Sequence, residues 1–216
     1  MSEAEKAFKD GSTRAVIKGG GGINFTPTKR QGIKTYTATE IDALPMSVKI
    51  FTDGGCDPNP GKAGSGMVVY RNDTLESLWY GAYNPQGTNN TAELMALNQA
   101  FMKAQKECND QSVAIFCDSK YAIQCIIQWA EGWQKKGWKK AGGEIKNLPL
   151  IQEMFERYQA LKKANVQVLH VNGHVGVEGN ELADRMSILA IQLKERSFTC
   201  YQGEMNVEQL LSLRAG

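Results

Sequence analysis

The sequence predicts an α/β fold in which a five-stranded mixed sheet is flanked by helices, with the element order βββαβαααβα. Three observations predict it. Short runs rich in β-branched and aromatic residues open the pattern, later runs of this kind alternate with helical runs, and Asn72-Asp73 separates two of the early strands as a hairpin signal. A hairpin start makes part of the sheet antiparallel, whereas helical crossovers make the rest parallel. The chain has 216 residues, enough for one domain with a sizeable core.

The first strands follow one another directly. VKIFTD, beginning at Val48, is typical of a buried strand, and DPNPGKAG follows it as a turn-rich loop. GMVVYR and LESLWYGAY predict the second and third strands. The opening of the domain is therefore an antiparallel meander.

In most of the remaining chain, the apolar residues have the spacing that predicts helices. NNTAELMALNQAFMKAQKE predicts a helix with Asn89, Asn90 or Thr91 as its cap, and SVAIFCD predicts the fourth strand. Three helices follow in YAIQCIIQWA, EGWQKKGWKKA and NLPLIQEMFERYQALKKA. VQVLHV predicts the fifth strand, and the last helix is expected from about Asn180 to Lys194.

The composition limits where the chain can be located and what it can bind. No stretch approaches the eighteen or more apolar residues of a membrane span, so we expect no membrane partner. Five cysteines without a CxxC pair make a disulfide framework or a zinc knuckle unexpected and favour a reducing cytoplasm (Cys56, Cys108, Cys117, Cys125 and Cys200). The formal net charge is only +2, but residues 129–146 hold five lysines against two glutamates. A polyanion responds to local clusters of positive charge, because salt screens the charges that lie farther away.

Three segments are expected along the chain. Residues 1–46 have few large apolar side chains and predict a flexible or weakly ordered N-terminal extension. Residues 47–195 hold the predicted strands and helices and are expected to form the folded domain, and residues 196–216 are expected to form a C-terminal tail in which NVEQLLSLRAG suits a short amphipathic helix. A chain that starts near Leu44 is therefore expected to fold and to keep the activity of the domain.

Four acids stand out by their placement. Asp53 and Asp118 each end a predicted strand, Glu93 lies in the first turn of a helix, and Asp184 lies on the last helix. Each has an ordinary alternative explanation. Asp53 could be a turn residue and Asp118 a helix cap. Glu93 could complement a helix dipole, and Asp184 could be a solvated surface acid. If the first and fourth strands are parallel neighbours, however, Asp53 and Asp118 meet at one crevice. Several carboxylates in one place repel unless cations neutralise them, and oxygen ligands favour Mg²⁺ or Mn²⁺.

These residues resemble the type 1 ribonuclease H family over about residues 47–195. The resemblance rests on FTDGGCDPNPGKAGSG, TNNTAELMAL, FCDSKYAI, WAEGWQKKGWKK and GHVGVEGNELAD, which occur in the family's order and spacing. It implies a ribonuclease H-like fold and an endonuclease that hydrolyses the RNA strand of RNA–DNA hybrids by a two-metal-ion mechanism. The family's metal-binding tetrad falls on Asp53, Glu93, Asp118 and Asp184, with two Mg²⁺ ions and Mn²⁺ as a substitute. His174 matches a histidine in a mobile loop that assists proton transfer or product release.

The same resemblance implies a set of substrate contacts. Cys56, Asn59, Asn89 and Asn90 match positions that touch the RNA strand, where the 2′-hydroxyl distinguishes RNA from DNA. Thr88 and Asn147 match a pocket for a phosphate of the DNA strand. A basic protrusion and its aromatic neighbours match a DNA channel; its members here are Tyr121, Trp129, Trp133, Lys135, Lys136 and Lys139. Alternatively, the tryptophans belong to the protein core, and the lysines form a solvated face without a nucleic-acid partner.

Two other functions compete with this interpretation. A DNA-processing nuclease of the same fold, such as a resolvase or transposase, would lack the histidine loop and the basic protrusion. A non-catalytic hybrid-binding module would not need all four acids.

Thr91 departs from the family pattern, because relatives commonly carry Arg or Lys there. We expect a monomer whose partner is an RNA–DNA hybrid.

Overall fold

A computed structural model of the chain describes residues 32–109 and 111–216, and Ile33–Gly216 form one compact unit. The strands are β1 (Thr35–Tyr36), β2 (Val48–Asp57), β3 (Gly61–Arg71), β4 (Thr74–Gly87), β5 (Val113–Cys117), β6 (Gln167–Val171) and β7 (Thr199–Cys200). The helices are α1 (Ala38–Asp42), α2 (Asn89–Glu107), α3 (Lys120–Ile123), α4 (Ala130–Lys135), α5 (Leu148–Lys163), α6 (Glu178–Leu193) and α7 (Val207–Leu211), and a π-helical segment (Gln124–Trp129) joins α3 to α4. Within the described ranges, none of these helices has both the length and the apolar character of a membrane span.

The strands form one mixed sheet in the order β1-β6-β5-β2-β3-β4-β7. Strands β2, β3 and β4 are antiparallel neighbours, and β2, β5 and β6 run parallel, as the sequence predicts. The Asn72-Asp73 turn has positive φ at both residues, which matches the right-handed twist of the strands it joins. The α/β fold is confirmed, but two short strands extend the predicted five-stranded sheet to seven.

The sheet divides the core into two layers. On one face α2, the π-helical segment and α5 bury a cluster that includes Leu97, Phe101, Ile115 and Met154. On the other face α1, α6 and α7 contribute to a second cluster that includes Phe51, Phe116 and Leu182. Burying a large aliphatic or aromatic side chain contributes about 1.5–3 kcal/mol, so both layers hold the sheet firmly.

The structure corrects the prediction for residues 33–46, which do not form a loose extension. Strand β1 pairs in parallel with β6, and α1 begins with a capping box in which Thr37 and Glu40 exchange hydrogen bonds. Ile41 is buried, and the Lys49 ammonium donates to the carbonyl oxygen of Ile41 at 2.8 Å. The pairing with β6 is a long-range contact that composition does not reveal. Residues 1–31 lie outside the described residues.

Two further predictions change in detail. The helix expected over EGWQKKGWKKA ends at Lys135, because Gly137 and Trp138 adopt left-handed φ values of 65° and 60°. The two helices expected before α5 join into one helical stretch through the π-helical segment. In the tail, α7 forms as expected, and Leu210 is buried against the side of the sheet that α6 covers.

Candidate active site

Two aspartates meet where neighbouring parallel strands reach the edge of the sheet. Thr52 of β2 is paired with Cys117 of β5, so Asp53 and Asp118, the next residue of each, lie side by side. Both line a cavity of about 570 Å³. The crevice at the carboxyl ends of parallel strands is where α/β sheets bind ligands. The predicted adjacency of Asp53 and Asp118 is confirmed.

Helices bring the other two carboxylates to this cavity. Gly54 lets α2 approach β2 closely, since a Cβ at residue 54 would collide with the backbone of Ala92 and Glu93. The Ser65 hydroxyl donates to the carbonyl oxygen of Ala92 at 2.7 Å and holds the first turn of α2 on the sheet. Glu93 is 5% exposed and lines the cavity.

Asp184 arrives from the opposite face of the sheet. A Cβ at Gly66 would collide with the carbonyl oxygen of Ala183, so glycine at this position of β3 allows α6 to lie directly on the strand. Asp184 is 3% exposed and also lines the cavity. Four carboxylates from β2, α2, the end of β5 and α6 therefore share one cavity.

This crowding is electrostatically unfavourable. Burial, followed by the charges of Asp118 and Asp184, raises the pKa of Asp53 well above its usual range. Burial and the charges of Asp53 and Asp118 do the same to the pKa of Glu93. Burial also raises the pKa of Asp118, and the Asn180 amide opposes that rise. A cluster with these shifts is stable in its ionised form only beside positive charge.

The donor set fits a divalent cation. Among the described residues, the ligand atoms of Glu93, Cys117 and Asp118 lie within 4.8 Å of one another. Glu93 Oε2 and Asp118 Oδ1 are buried without a hydrogen-bond partner. Burial raises the pKa of the Cys117 thiol well above its usual range, so the thiol stays protonated and leaves carboxylate oxygen as the ligand. Oxygen ligands of this kind suit hard cations such as Mg²⁺ and Mn²⁺.

Several residues that the sequence analysis did not select hold the carboxylates. Asn180 donates to Asp118 Oδ2 at 3.2 Å, and a Cβ at Gly173 would lie 2.6 Å from the same oxygen. Arg185 forms an ion pair with Asp184, and the backbone N–H of Gly216 lies 3.1 and 3.2 Å from its two carboxylate oxygens. GHVGVEGNELAD contains both Gly173 and Asn180, so closer attention to that motif could have selected them. The Gly216 contact spans 32 residues and has no sequence signal.

His174 lies on the rim of the cavity. It is exposed, has a left-handed φ of 55°, and stands in the loop between β6 and α6 beside Gly176, whose φ is 80°. Its charge lowers the pKa of Asp118, which places the imidazole near that carboxylate. An imidazole at such a rim can accept or release a proton.

The predicted RNA contacts meet at the first turn of α2. Cys56 and Asn89 line the cavity, and the backbone N–H of Asn89 donates to Asn59 Oδ1 at 3.2 Å. Asn90 is exposed in the same turn. The expected cap was wrong: Thr88 is the N-cap, since its hydroxyl accepts from the backbone N–H of Thr91. The side chains of Asn89 and Asn90 are therefore not required for capping.

Thr88 and Asn147 are joined through Thr91. The hydroxyl groups of Thr88 and Thr91 lie 2.8 Å apart, and the Thr91 hydroxyl donates to Asn147 Oδ1 at 3.3 Å. Asn147 has a left-handed φ of 59° immediately before α5. The residue that departs from the family pattern thus connects the two predicted phosphate ligands.

The predicted protrusion is half core and half surface. Trp129 lies 5.7 Å from Trp133 and 6.4 Å from Tyr121 between ring centroids, and all three rings are half-buried against the core. Burial is the main cause that raises the pKa of Tyr121 to about 12. Lys135, Lys136 and Lys139 are exposed, and Lys135 pairs with Glu131 at 2.6 Å. The tryptophans therefore anchor a segment whose lysines face solvent.

Known proteins resemble most of this chain. The family model described as RNase H matches residues 45–192. A ribonuclease H of Rhodopirellula baltica is 34% identical over 160 residues, which cover 72% of this chain and 98% of the relative. A ribonuclease H of Acidovorax sp. is 42% identical over 142 residues, or 65% of this chain and 91% of the relative.

Solved structures show the same fold. LC9-RNase H1, described as a type 1 RNase H with the type 2 active-site motif, matches with a TM-score of 0.61 at 23% identity over 79% of this chain and 83% of that one. The PFV RNase H domain matches with a TM-score of 0.57 at 22% identity over 68% of this chain and 96% of that one.

Proposed function

We propose that this chain, which belongs to the RNase H family, is a metal-dependent endonuclease that hydrolyses the RNA strand of RNA–DNA hybrids. The observation that carries the proposal is the convergence of four carboxylates, two of them with unpartnered buried oxygens, in one cavity. Two curated relatives with the name ribonuclease H match this chain over nine tenths or more of their own length.

We assign the metal site to Asp53, Glu93, Asp118 and Asp184, with two Mg²⁺ ions as the resident cations and Mn²⁺ as a substitute. Bound there, such ions would polarise a water and stabilise the leaving oxygen in phosphodiester cleavage. The carboxylates would hold that positive charge at the scissile phosphate. The raised pKa values of Asp53 and Glu93 reflect crowded, buried negative charge, which bound cations would offset. Arg185 and the backbone N–H of Gly216 occupy part of the Asp184 carboxylate, so a cation at Asp184 would share its oxygens with them or displace them.

The protein's own groups complete the reaction. In hydrolysis the attacking water loses a proton, and the 3′-oxygen of the leaving strand gains one. We assign this proton movement to His174, which lines the cavity and faces solvent, so it can exchange protons with water. His174 lies in a glycine-containing loop, and that placement suits a group that moves between the phosphate and solvent.

Substrate selection follows from the surfaces beside the cavity. Cys56, Asn59, Asn89 and Asn90 form the edge that we assign to the RNA strand and its 2′-hydroxyls. Thr88 and Asn147, linked through Thr91, form the ligand group for a phosphate of the DNA strand. We assign the remaining DNA contacts to the aromatic cluster and the lysines of the protrusion (Tyr121, Trp129, Trp133, Lys135, Lys136 and Lys139). Base stacking or sugar contacts and phosphate neutralisation are the interactions that such a mixed surface provides.

A substrate panel tests the proposal. An end-labelled RNA–DNA hybrid is incubated with the protein in Mg²⁺, in Mn²⁺ and in EDTA, beside duplex DNA, duplex RNA and each single strand. We expect internal cuts in the RNA of the hybrid only, dependent on the cation. Cleavage of duplex DNA would favour a DNA-processing nuclease, and a hybrid that is bound but uncut in excess Mg²⁺ would favour a binding module. Sedimentation of the same sample tests the expected monomer, and cell fractionation tests the expected cytoplasmic location.

A further inference from the structure

The other histidine of the chain, His170, does not line the cavity and has no part in the site described so far. It stands on β6 and is only 2% exposed. In the sheet it is flanked by two partners, Cys117 of β5 on one side and Thr35 of β1 on the other. The residue that follows Cys117 is the carboxylate Asp118, so the sheet partner of His170 directly precedes a residue of the metal site.

Both ring nitrogens of His170 are engaged. Nε2 lies 3.1 Å from the backbone carbonyl oxygen of Asp118, and Nδ1 lies 2.8 Å from the Thr35 hydroxyl. A carbonyl oxygen can only accept, so Nε2 carries the proton and donates it to Asp118. Nδ1 of the neutral ring then accepts from the hydroxyl of Thr35. Burial lowers the pKa of His170, which favours this neutral form.

The bond to Asp118 is made where the chain leaves the sheet. The paired register of β5 and β6 ends at Cys117 and His170, so the imidazole binds the first carbonyl beyond it. The Asp118 side chain is held at Oδ2 by Asn180, whereas Oδ1 is buried without a partner. A second fixed point on the main chain determines where that free oxygen is directed.

We propose that His170 is a positioning residue for Asp118, and that the Thr35 hydroxyl fixes the His170 ring. The segment around β1 thereby becomes part of the active-site support. This inference rests on the proposed function, because it assumes that Asp118 binds a cation. Removing a group that orients a metal-binding residue typically changes metal affinity or activity about 10–100-fold.

The simpler possibility is that His170 only fills the core. An apolar replacement would then lower stability, because the carbonyl oxygen of Asp118 and the hydroxyl of Thr35 lose their hydrogen-bond partner. It would leave the affinity for Mg²⁺ unchanged. Stability and cation affinity therefore separate a structural role from a positioning role.

The test uses paired variants of the full chain. Thr35→Val removes the hydroxyl at nearly constant shape, and Thr35→Ser restores it. His170→Phe removes the donor, whereas His170→Gln keeps an N–H near the Nε2 position. Thr37→Val is the matched control, since it makes the same chemical change two residues away and disturbs the cap of α1 without touching His170. Each protein is tested for its melting temperature in EDTA, its Mg²⁺ dissociation constant by calorimetry, and kcat and KM on a labelled hybrid.

We expect the Mg²⁺ dissociation constant to rise about 10-fold or more in His170→Phe and by a smaller factor in Thr35→Val, with kcat falling more than KM changes. Thr35→Ser and His170→Gln should stay near the wild type, and Thr37→Val should lose stability alone. If Thr35→Val and a folded His170→Phe bind Mg²⁺ within about twofold of the wild type, the positioning role is wrong. If the wild type itself neither binds Mg²⁺ nor cuts the hybrid, the proposed function fails first.

Discussion

At the scale of single residues, the candidate site is defined by carboxylates that destabilise one another. Asp53 and Glu93 are buried beside acidic neighbours, and no positive group of the described residues contacts Glu93 Oε2. Arg185 is ion-paired to Asp184, so part of the cluster is already neutralised. The charges of Asp53, Glu93 and Asp118 are then neutralised either by bound cations or, without metal, by protons. Replacing Asp by Asn or Glu by Gln removes the charge and keeps the size of the side chain, so the effect of the charge can be measured alone.

The first residue-scale prediction concerns Asp53→Asn. The amide keeps the size of the side chain but lacks the charge that binds a cation, so hybrid cleavage should fall about 100–1,000-fold, the usual effect of removing one positioned charge-stabilising group. Hybrid binding in EDTA should stay within a few-fold. Single-turnover cleavage of a labelled hybrid measures the first quantity and filter binding the second. Asp42→Asn, an exposed acid on α1, is the control. Near-normal turnover by Asp53→Asn would rule out its place in the metal site.

The second concerns the stability of Glu93→Gln without metal. The folded-state pKa of Glu93 is raised, so the native state holds this proton more tightly than the unfolded chain. The wild type therefore loses stability as pH rises above about 4.3, the usual pKa of Glu, towards the folded-state value. Glu93→Gln does not titrate. In EDTA at pH 8 it should melt at a higher temperature than the wild type.

The size of the domain sets how far a difference in stability moves the melting temperature of Glu93→Gln away from that of the wild type. Each 1 kcal/mol shifts the melting temperature of a domain of this size by roughly 2–4 °C. The gap should vanish near pH 4, where both chains are uncharged at residue 93, and it should reverse when Mg²⁺ is added. Differential scanning calorimetry at pH 4, 6 and 8 measures it. A wild type that is more stable than Glu93→Gln at pH 8 in EDTA contradicts the electrostatic account.

At the scale of elements, the protrusion combines a half-buried aromatic cluster with exposed lysines. The tryptophans fix α4 and the loop after it on the core, and Gly137 and Trp138 turn the chain so that α4 ends at Lys135. The sequence indicated both the charge and the aromatics but placed the end of the helix too late, at Ala141. A left-handed residue other than glycine, such as Trp138, cannot be recognised from helical spacing.

The protrusion predicts a salt effect. Replacing Lys135, Lys136, Lys139 and Lys140 with Ala should weaken hybrid binding alike at all sequences and should flatten its salt dependence. The log–log slope is expected to fall by about 0.7–0.9 for each phosphate that the lysines no longer neutralise. Lys106→Ala is the control, because it removes one exposed charge at the end of α2 remote from the cavity. Titrations from low to moderate salt measure the slopes, and an unchanged slope in the fourfold variant means that these lysines only solvate the protein.

The end of β2, the loop after it and the first turn of α2 determine how long an RNA segment the protein is expected to contact. Cys56 and Asn59 lie on one side, Asn89 and Asn90 on the other, and the Asn59–Asn89 hydrogen bond joins them. Because these residues extend beyond the carboxylates, several consecutive 2′-hydroxyls should be contacted. A DNA duplex with one ribonucleotide should be a poor substrate, and a run of about four should be cut inside the run, a length taken from the family resemblance. Efficient incision at a single ribonucleotide contradicts this assignment.

At the scale of the whole molecule, the sheet and both core layers follow from sequence patterns, but the edges of the sheet do not. Alternation and helical spacing are local, so they predicted β2 to β6 and the meeting of Asp53 with Asp118. Strand β1 has two residues and pairs with a strand 135 positions away, as the bond between Thr35 and His170 illustrates. Contacts of that range depend on the assembled fold. The contact of Gly216 with Asp184 could not be predicted for the same reason, since it joins residues that are distant in the sequence.

The last prediction concerns where the N-terminal part of the chain becomes necessary. A variant that lacks residues 1–31 keeps β1, α1 and every residue assigned to chemistry, so its melting temperature and its kcat at saturating hybrid should equal those of the full chain. Residues 1–31 hold six Lys or Arg against three acids. Their removal should weaken binding to long hybrids at moderate salt only.

A variant that starts at Leu44 should behave differently, contrary to what the sequence alone suggested. It loses the burial of Ile41 and leaves the Lys49 ammonium, whose side chain is 4% exposed, with Asp73 as its remaining partner. It also removes Thr35 from His170. The first two changes alone amount to about 3 kcal/mol or more, so the melting temperature should fall by roughly 6–12 °C. Calorimetry of the two variants beside the full chain measures this. Equal melting temperatures for both would mean that residues 33–43 contribute nothing to the fold, and the role assigned to β1 would fall with them.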